Sequence, residues 1–445
     1  MGAIDLTRGS IAGGILRFAL PLLGTSVVQQ LYTTVDLLFV GNVLGTAGAA
    51  ALGLGSLLIT LIATLFTGIS VGVNVKIADL FGSGDMQGVS HAIRTALKLS
   101  IGAGAFVIVL GMILSRPFLD IMEVPSEAAA DAAAYLAFAV ISAFPIGVFN
   151  ICAGGLRGIG DSRSPFVAQA AGGALNIAAN WAALCVLNWG IIGCAAATCT
   201  SNALAAIIAA VALARCKPIG ADGGRRAPFD RRFAVAALAF GAPVALQAIA
   251  IVLSNVLVQH QIDLLGVESV AAFTVYLKVE LPIYFVILAI GQAATTFVAQ
   301  NNGAGFDERC QKGIRICQIL CFALAVVLSM IMLGIGPWAF GIFDNDAAVI
   351  SIGLSMIWTT FPFYFLYAIL EVQADAIRGF GHSLGPALIV LATICVLRVM
   401  LVYMFTGQGL GITAIAATYP ITWGAAAIGM VLLRVGLRYA KRMHS

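Results

Sequence analysis

The sequence predicts an all-α integral membrane protein whose twelve transmembrane helices form two homologous six-helix lobes around a central cavity. Three observations lead to this prediction: the composition, an internal duplication and the number of long apolar runs. Of the 445 residues, 61% are hydrophobic and 10% are charged, and the mean hydropathy is +1.02. Because a soluble domain carries about 25% charged residues, this composition is typical of a membrane protein.

The duplication is visible in a ten-residue segment that occurs twice, as LRGIGDSRSP at 156–165 and as IRGFGHSLGP at 377–386. The copies are 221 residues apart, which is half the chain. The same shift aligns further segments and single residues: FGSGD with NGAGF, Arg94 with Arg315, Gly45 with Gly266, and, one residue out of step, Pro21 with Pro243. A repeat of this length predicts two homologous lobes, as in many transporters.

Twelve apolar runs are long enough to cross about 30 Å of hydrocarbon as helices. In the first half they cover about 15–41, 50–76, 92–115, 130–152, 165–187 and 190–214. In the second half they cover about 232–262, 270–300, 312–336, 347–375, 386–406 and 411–436. We therefore predict an N-lobe at 1–214, a linker at 215–231 and a C-lobe at 232–445.

The basic residues predict the orientation. With the N-terminus inside, 21 of the 24 lysines and arginines fall on the cytoplasmic side, as the positive-inside rule requires. We expect a multi-pass protein of the inner (cytoplasmic) membrane, with both termini and the linker in the cytoplasm. This topology accounts for the net charge of +4, so no nucleic-acid partner is implied. We expect a monomer in the lipid bilayer.

The motifs argue against an enzyme. GISVG at Gly68 to Gly72 fits the nucleophile pattern GxSxG, but that motif needs a strand-to-helix elbow, and here it lies inside an apolar run. The two glycines favour close helix packing instead. No P-loop sequence is present, so transport is expected to be driven by an ion gradient or by the substrate's own gradient. The nine cysteines and four histidines do not cluster, so neither a cofactor nor a metal centre of these residues is expected.

Polar residues inside the spans of the N-lobe are the first candidates for function. Asp36 lies in helix 1, where an ionised carboxylate facing lipid is costly and is usually functional. Gln29 and Thr33 precede it at helical spacing. Helix 5 carries a second stripe, Gln169, Asn176 and Asn180. Their amides can coordinate a cation or bind a protonated acid, and packing between helices is an equally good reading of each amide alone.

The C-lobe carries a different set of charges. Glu371, Asp375 and Arg378 share one face of helix 10; we interpret Asp375 and Arg378 as a structural pair and Glu371 as the candidate for proton exchange. Helix 8 carries Lys278 and Glu280, which point to different sides, and Arg398 of helix 11 is a candidate counter-ion. The predicted substrate-binding residues are Gln29, Thr33, Gln169, Asn255, Lys278, Glu280, Gln292 and Glu371.

At three stretches the sequence resembles the multidrug and toxin extrusion (MATE) family. They are FALPLLGTSVVQQLYTTVDLLFVG in helix 1, LRGIGDSRSP, and GQAATTFVAQNNGAG at the end of helix 8. The resemblance implies two lobes that rock between faces and export amphipathic, mainly cationic compounds against inward proton or sodium flow. It also implies that Asp36 is the coupling acid of the DinF-type branch, where helix 1 bends at Pro21.

The same resemblance implies that Asn176 and Thr198 complete the coupling site. Asn180 is a departure, since related members tend to carry aspartate where this chain reads NIAAN. A sodium site at Asp36, Asn176 and Asn180 would therefore have one negative charge fewer than expected, which favours protons as the coupling ion.

Two functions remain open at this stage. The leading hypothesis is an antiporter that exports small organic cations in exchange for protons or sodium. The alternative is a flippase of the same superfamily for lipid-linked precursors, whose anionic cargo would favour arginines. The intramembrane charges comprise four acids against Lys278 and Arg398, a balance that favours cations. The acids are Asp36, Glu280, Glu371 and Asp375.

Overall fold

The computed structural model describes residues 4–121, 129–216 and 229–443. It confirms the all-α fold class, because these residues form long helices and no strand occurs among them. In the first half the helices are α1 (Ile11–Gly45), α2 (Ile59–Gly82), α3 (Met86–Ile121), α4 (Ala129–Gly158), α5 (Arg163–Asn180) and α6 (Gly190–Arg215). In the second half they are α7 (Arg231–Asp263), α8 (Val267–Gly303), α9 (Asp307–Gly341), α10 (Ala347–Gly379), α11 (Leu384–Gly407) and α12 (Ile412–Met443).

Eleven of the described helices are long and apolar enough to cross a membrane. The twelfth predicted span is α5 together with its π-helical continuation, Trp181–Val186. Two other helices change their pitch: α10 contains the 3₁₀ turn Phe361–Phe363, and α11 contains the π segment Leu391–Leu397. Helical character also continues from α1 into α2, interrupted at Gly45, whose φ of 70° and ψ of −161° are not helical. Glycine adopts such a positive φ without steric cost.

Several helices extend beyond their predicted ends. The span predicted at 92–115 is the helix Met86–Ile121, and the span predicted to end at 336 continues to Gly341. Hydropathy identifies only the apolar part of a helix. The backbone hydrogen bonds of the helix continue into the polar residues at the membrane surface, which hydropathy excludes.

The chain divides into two compact units whose boundaries differ from the predicted lobes. Unit 1 contains residues 1–5 and 20–245, and unit 2 contains residues 6–19 and 246–445. The first part of α1 therefore belongs with the second half, and the first part of α7 with the first half. Each helix changes unit beside its internal proline, Pro21 in α1 and Pro243 in α7. Most of the predicted linker, residues 217–228, lies outside the described residues.

Hydrogen bonds explain why the N-terminal segment belongs to unit 2. Leu6 is 1% exposed, its N–H donates to Gln300 Oε1 at 3.1 Å, and its carbonyl accepts from Asn301 Nδ2 at 3.2 Å. Arg309 also donates to the carbonyls of Leu6, Arg8 and Gly9. The QNNGAG sequence that ends α8 thus positions the chain entering α1.

The glycines of GISVG lie at a close helix contact, as their spacing predicts. A Cβ at Gly68 would overlap the backbone of Ala245, and one at Gly72 would overlap the carbonyl oxygen of Ala237. Gly241 in turn faces the carbonyl oxygen of Gly68. Small residues let α2 and the first part of α7 approach within backbone contact, which is the membrane form of helix packing. GISVG is therefore a packing motif.

Replacing Gly68 by alanine should destabilise unit 1 by about 1–3 kcal/mol, because the new methyl group must displace a backbone. Gly102→Ala in α3 is the matched control, since nothing lies within 4 Å of a Cβ at that position; it should be neutral or stabilising. Thermal unfolding of both variants in detergent tests this prediction. Equal midpoints for the two variants would contradict it.

Candidate functional site

The buried polar cluster of unit 1 joins α1, α5 and α6. Asn180 Nδ2 donates to Asp36 Oδ1 at 2.5 Å and to Asn176 Oδ1 at 3.3 Å. Asn176 Nδ2 donates to Ser201 Oγ at 3.4 Å. Asp36 is 7% exposed, Asn176 1% and Asn180 0%. The carboxylate therefore sits inside the protein, away from lipid, as its intramembrane position requires.

Small residues bring two of these helices, α1 and α5, close together. A Cβ at Gly24 would lie 2.7 Å from the ring of Phe166, and one at Gly173 would lie 3.1 Å from Val28. Beside Gly173, Gln169 Nε2 donates to the hydroxyl of Tyr32 at 3.2 Å. The stripe Gln169, Gly173, Asn176 and Asn180 thus faces α1 along its length. The sequence periodicity predicted this face.

The cluster can hold a proton or a small cation. Asn180 Oδ1 is buried and has no hydrogen-bond partner among the described residues. An unpaired buried oxygen is costly, and here it accompanies a carboxylate that the same side chain contacts. A protonated Asp36 would offer an O–H donor to such an oxygen, and a sodium ion would take both as oxygen ligands. The π-helical turn at Trp181–Val186 begins directly after Asn180, and π-bulges are frequent at functional sites.

Other residues predicted for this lobe lie outside the hydrogen-bonded cluster. Thr198 Oγ1 donates to the carbonyl of Cys194 in its own helix at 3.0 Å, and the hydroxyl that contacts Asn176 belongs to Ser201. Gln29 and Thr33 are exposed, and Thr33 Oγ1 donates to the carbonyl of Gln29 at 2.9 Å. Ser201 is only three residues from Thr198, so a spacing argument could not separate them.

Unit 2 contains the ion pair predicted on α10. Arg378 Nη1 donates to Asp375 Oδ1 at 2.8 Å, and the two side chains are 8% and 7% exposed. Arg378 Nη2 also donates to Gln247 Oε1 of α7 at 3.0 Å, and Thr295 Oγ1 of α8 donates to the carbonyl of Asp375 at 3.1 Å. Glu371 lies one turn before Asp375 and is half-buried. The predicted structural pair is confirmed and links α7 to α10.

The repeated segment places an arginine at the same position in both units, but its partners differ. In unit 1, Arg157 Nη2 donates to Ser70 Oγ at 2.8 Å. In unit 2, Arg378 donates to Asp375. Both arginines are held at the end of a helix, one by a hydroxyl and one by a carboxylate.

Around this arginine, the two units place the small residue and the polar residue on opposite helices. At the shift of 221, Ser70 corresponds to Gly291, and Gly154 corresponds to Asp375. A Cβ at Gly154 would overlap Ser70, and a Cβ at Gly291 would lie 2.5 Å from Asp375 Oδ2. Each unit therefore has room beside its arginine for one polar side chain, and the two units supply it from opposite helices.

A second acid of unit 2 lies in an aromatic environment. The carboxylate of Glu280 is beside the hydroxyls of Tyr276 and Tyr364 and near Arg398. Its Oε2 is buried without a hydrogen-bond partner among the described residues. The Arg398 guanidinium lies 4.2 Å from the centre of the Tyr419 ring, a cation–π distance.

Arg398 also donates to Thr422 Oγ1 from Nε at 3.2 Å and from Nη2 at 3.0 Å. The arginine is thus shared between an acid, a ring and a hydroxyl. The aromatic residues around Glu280 were missed from the sequence, because tyrosines at helical spacing are typical of any packed core.

The remaining predicted substrate-binding residues are Asn255, Lys278 and Gln292. Lys278 and Asn255 are exposed, and Gln292 is half-buried. Lys278 and the buried Glu280 oxygen point to different sides of α8, as their spacing of two predicts.

A model of the MatE family matches the chain twice, over residues 21–182 and 243–404. The two matches begin 222 residues apart, which confirms the internal duplication.

Relatives match over most of their length. The chain is 24% identical over 393 residues to the probable multidrug resistance protein YoeA of Bacillus subtilis, covering 86% of this chain and 84% of that protein. It is 24% identical over 396 residues to the probable multidrug resistance protein NorM of Thermotoga maritima, covering 88% and 84%. Among solved structures, an outward-facing multidrug resistance MATE family transporter of the MOP superfamily gives a TM-score of 0.91 at 22% identity, covering 99% of this chain and 98% of that one. That structural likeness confirms the fold.

Proposed function

Because this chain belongs to the MatE family, we propose that it is a secondary active antiporter that exports amphipathic, mainly cationic compounds in exchange for protons. The observation that carries the proposal is the buried cluster of Asp36, Asn176 and Asn180. Because Asp36 is one carboxylate among uncharged amides, the net charge of the cluster changes from negative to neutral when it binds a single proton. Relatives named as multidrug resistance proteins support an organic cargo.

The proposed coupling acts through helix α1. Protonation of Asp36 removes a buried charge and changes its hydrogen bond with Asn180, so α1 repacks against α5. Pro21 lies fifteen residues before Asp36, beside the point where α1 passes from one compact unit to the other. A proline removes one helical hydrogen bond and allows a bend there. We infer that protonation biases the transporter between its two access states.

Protons are favoured over sodium by the charge of the site. Sodium needs several oxygen ligands and benefits from carboxylates, and this cluster offers one carboxylate with Asn180 in place of a second acid.

The preference for cations rests on unit 2. Glu280 and Glu371 are acids inside membrane-spanning helices that form no ion pair within 4 Å in the described part of the chain, although Glu280 lies near Arg398 and Glu371 near Arg378. Acids in a low-dielectric environment attract a cation strongly.

The decisive experiment uses purified protein in proteoliposomes with an imposed pH gradient or an imposed sodium gradient. Fluorescent organic cations, neutral analogues and one anionic lipid-linked precursor serve as cargo. We expect cation transport driven by the pH gradient. Movement of the lipid-linked anion without cation transport would instead indicate a flippase, and sodium-driven transport without a pH response would assign the coupling to sodium.

Replacing Glu371 by glutamine should reduce transport of cations more than transport of neutral analogues, because glutamine preserves shape and hydrogen bonding while removing the charge. A loss of roughly tenfold or more in cation uptake, with neutral cargo within about twofold, is expected for an interaction of about 1.4 kcal/mol. Glu308→Gln is the control, since Glu308 lies at the surface in an exposed pair with Lys312. Equal losses for both cargo types would make Glu371 structural.

A further inference from the structure

A groove on unit 1 lies between the first turn of α5 and the last two turns of α6. Its volume is about 520 Å³, and Arg163 and Arg215 both line it. The rest of its wall is largely apolar and includes Val167, Ile207 and Val211. These three side chains are 55%, 60% and 41% exposed.

Both arginines of this groove are exposed, and neither forms an ion pair within the described part of the chain. One acid, Asp161, also lines the groove, but its oxygens are engaged. Oδ1 accepts from the backbone N–H groups of Arg163 and Ser164 at 3.0 Å each, and Oδ2 accepts from Ser164 Oγ at 2.6 Å. Asp161 is 3% exposed. The groove therefore presents two exposed guanidinium groups without an ion-pair partner against one buried carboxylate, so its polar end is positive on balance.

The corresponding surface of unit 2 keeps the exposed apolar residues but lacks the two arginines. At the shift of 221, the apolar residues correspond to Leu388, Ile428 and Leu432, which are 55%, 64% and 66% exposed. The arginines, however, correspond to Leu384 and Gly436. The duplicated surface thus has the same exposed apolar residues, but neither position that corresponds to a groove arginine carries a cation.

From these observations we propose that the groove binds an anionic phospholipid, with its phosphate between Arg163 and Arg215 and an acyl chain along Val167, Ile207 and Val211. Charge complementarity and the adjoining apolar wall fit an anionic lipid. A free anion would make no contact with the apolar wall, and a neutral lipid would leave the two arginines without a counter-charge. The groove lies where α5 begins and α6 ends, on the side that the basic residues assign to the cytoplasm. The cytoplasmic leaflet is the one rich in anionic lipids. The proposal is independent of which cargo is transported.

The test is lipid binding by the purified full chain, followed by native mass spectrometry and by thermal stabilisation in detergent. The probes are phosphatidylglycerol, phosphatidylcholine and inorganic phosphate. Wild type should retain phosphatidylglycerol over phosphatidylcholine, and Arg163→Gln with Arg215→Gln should weaken phosphatidylglycerol binding by roughly 30-fold, about fivefold for each basic residue. Inorganic phosphate should give no stabilisation at millimolar concentration.

The chain offers two controls for this test. Arg231→Gln with Arg232→Gln removes two exposed charges outside the groove and should leave the binding unchanged. Leu384→Arg with Gly436→Arg installs the charges on the matching wall of unit 2 and should add a second bound phosphatidylglycerol. Equal retention of both lipids by wild type, or equal losses in the groove variant and the Arg231/Arg232 control, would overturn the proposal. Stabilisation by phosphate alone would make the site a free-anion site and would also overturn it.

Discussion

Asp36→Asn is expected to abolish export driven by a pH gradient while leaving the protein folded. Asparagine has the shape of the protonated acid and can still accept the hydrogen bond that Asn180 donates to Asp36, so the variant should fold with the cluster held in the arrangement of the protonated acid. It has no proton to exchange, so the coupling step is lost. We expect at least a hundredfold decrease in gradient-driven uptake, about 2.7 kcal/mol, together with loss of the pH dependence of transport.

Binding and stability separate this effect from a folding defect. Equilibrium binding of a fluorescent cation should stay within about threefold of wild type, since the cargo residues are proposed to lie elsewhere. Asp263→Asn is the control, because Asp263 ends α7 and its carboxylate accepts from Gln259 at 2.7 Å in an exposed position. If Asp36→Asn transports like wild type with an unchanged pH profile, coupling belongs to Glu371 or Glu280.

A companion variant examines the choice of ion at the same site. Asn180→Asp places a second carboxylate beside Asp36 and Asn176, giving a harder and more anionic oxygen site. We expect sodium-driven transport to rise relative to proton-driven transport in the same vesicles. An unchanged ratio would show that Asn180 does not determine the coupling ion.

Asp375→Gly is expected to produce the largest loss of stability. Arg378 would remain buried without its carboxylate, and breaking a buried ion pair by removing one partner costs about 3–5 kcal/mol. Gln247 would then be the remaining side-chain partner that accepts from the guanidinium within the described residues. Removal of the exposed pair Lys312–Glu308, whose side chains are 69% and 93% exposed, should change stability by less than about 1 kcal/mol.

The internal duplication provides a rescue for this variant. Gly291→Ser alone should also destabilise, because its Cβ would lie 2.5 Å from Asp375 Oδ2. The double variant Gly291→Ser with Asp375→Gly rebuilds the arrangement of unit 1, where Arg157 donates to Ser70. It should therefore be more stable than either single variant. Thermal unfolding of the four proteins gives the coupling energy, and strict additivity would contradict the proposed equivalence.

The membrane fold and the duplication were determined by the sequence itself. Long apolar runs have few alternatives in a bilayer, since every backbone group must find its hydrogen bond within a helix. Asp36 and the stripe of Asn176 and Asn180 were predicted for a related reason: a polar side chain in a span must face protein, and helical spacing identifies the shared face. The ion pair of Asp375 with Arg378 followed from their spacing on one helix.

Tertiary structure decided which atoms meet across helices. Periodicity fixes the face of a helix but not the rotation of each hydroxyl, so Thr198 donates to its own backbone while Ser201 contacts Asn176. Of the aromatic residues around Glu280, Tyr276 lies one turn away on the same helix, whereas Tyr364 comes from α10, which no local pattern connects to α8.

The division of the chain into units was also decided by tertiary contacts. The start of α1 joins unit 2 because Leu6 binds Gln300 and Asn301, almost three hundred residues away. A repeat reveals that two halves share a fold, whereas the place where each helix changes unit depends on long-range hydrogen bonds and on the close packing of Gly68 against Ala245. Such contacts form between segments that are distant in the chain, so neither composition nor spacing can specify them.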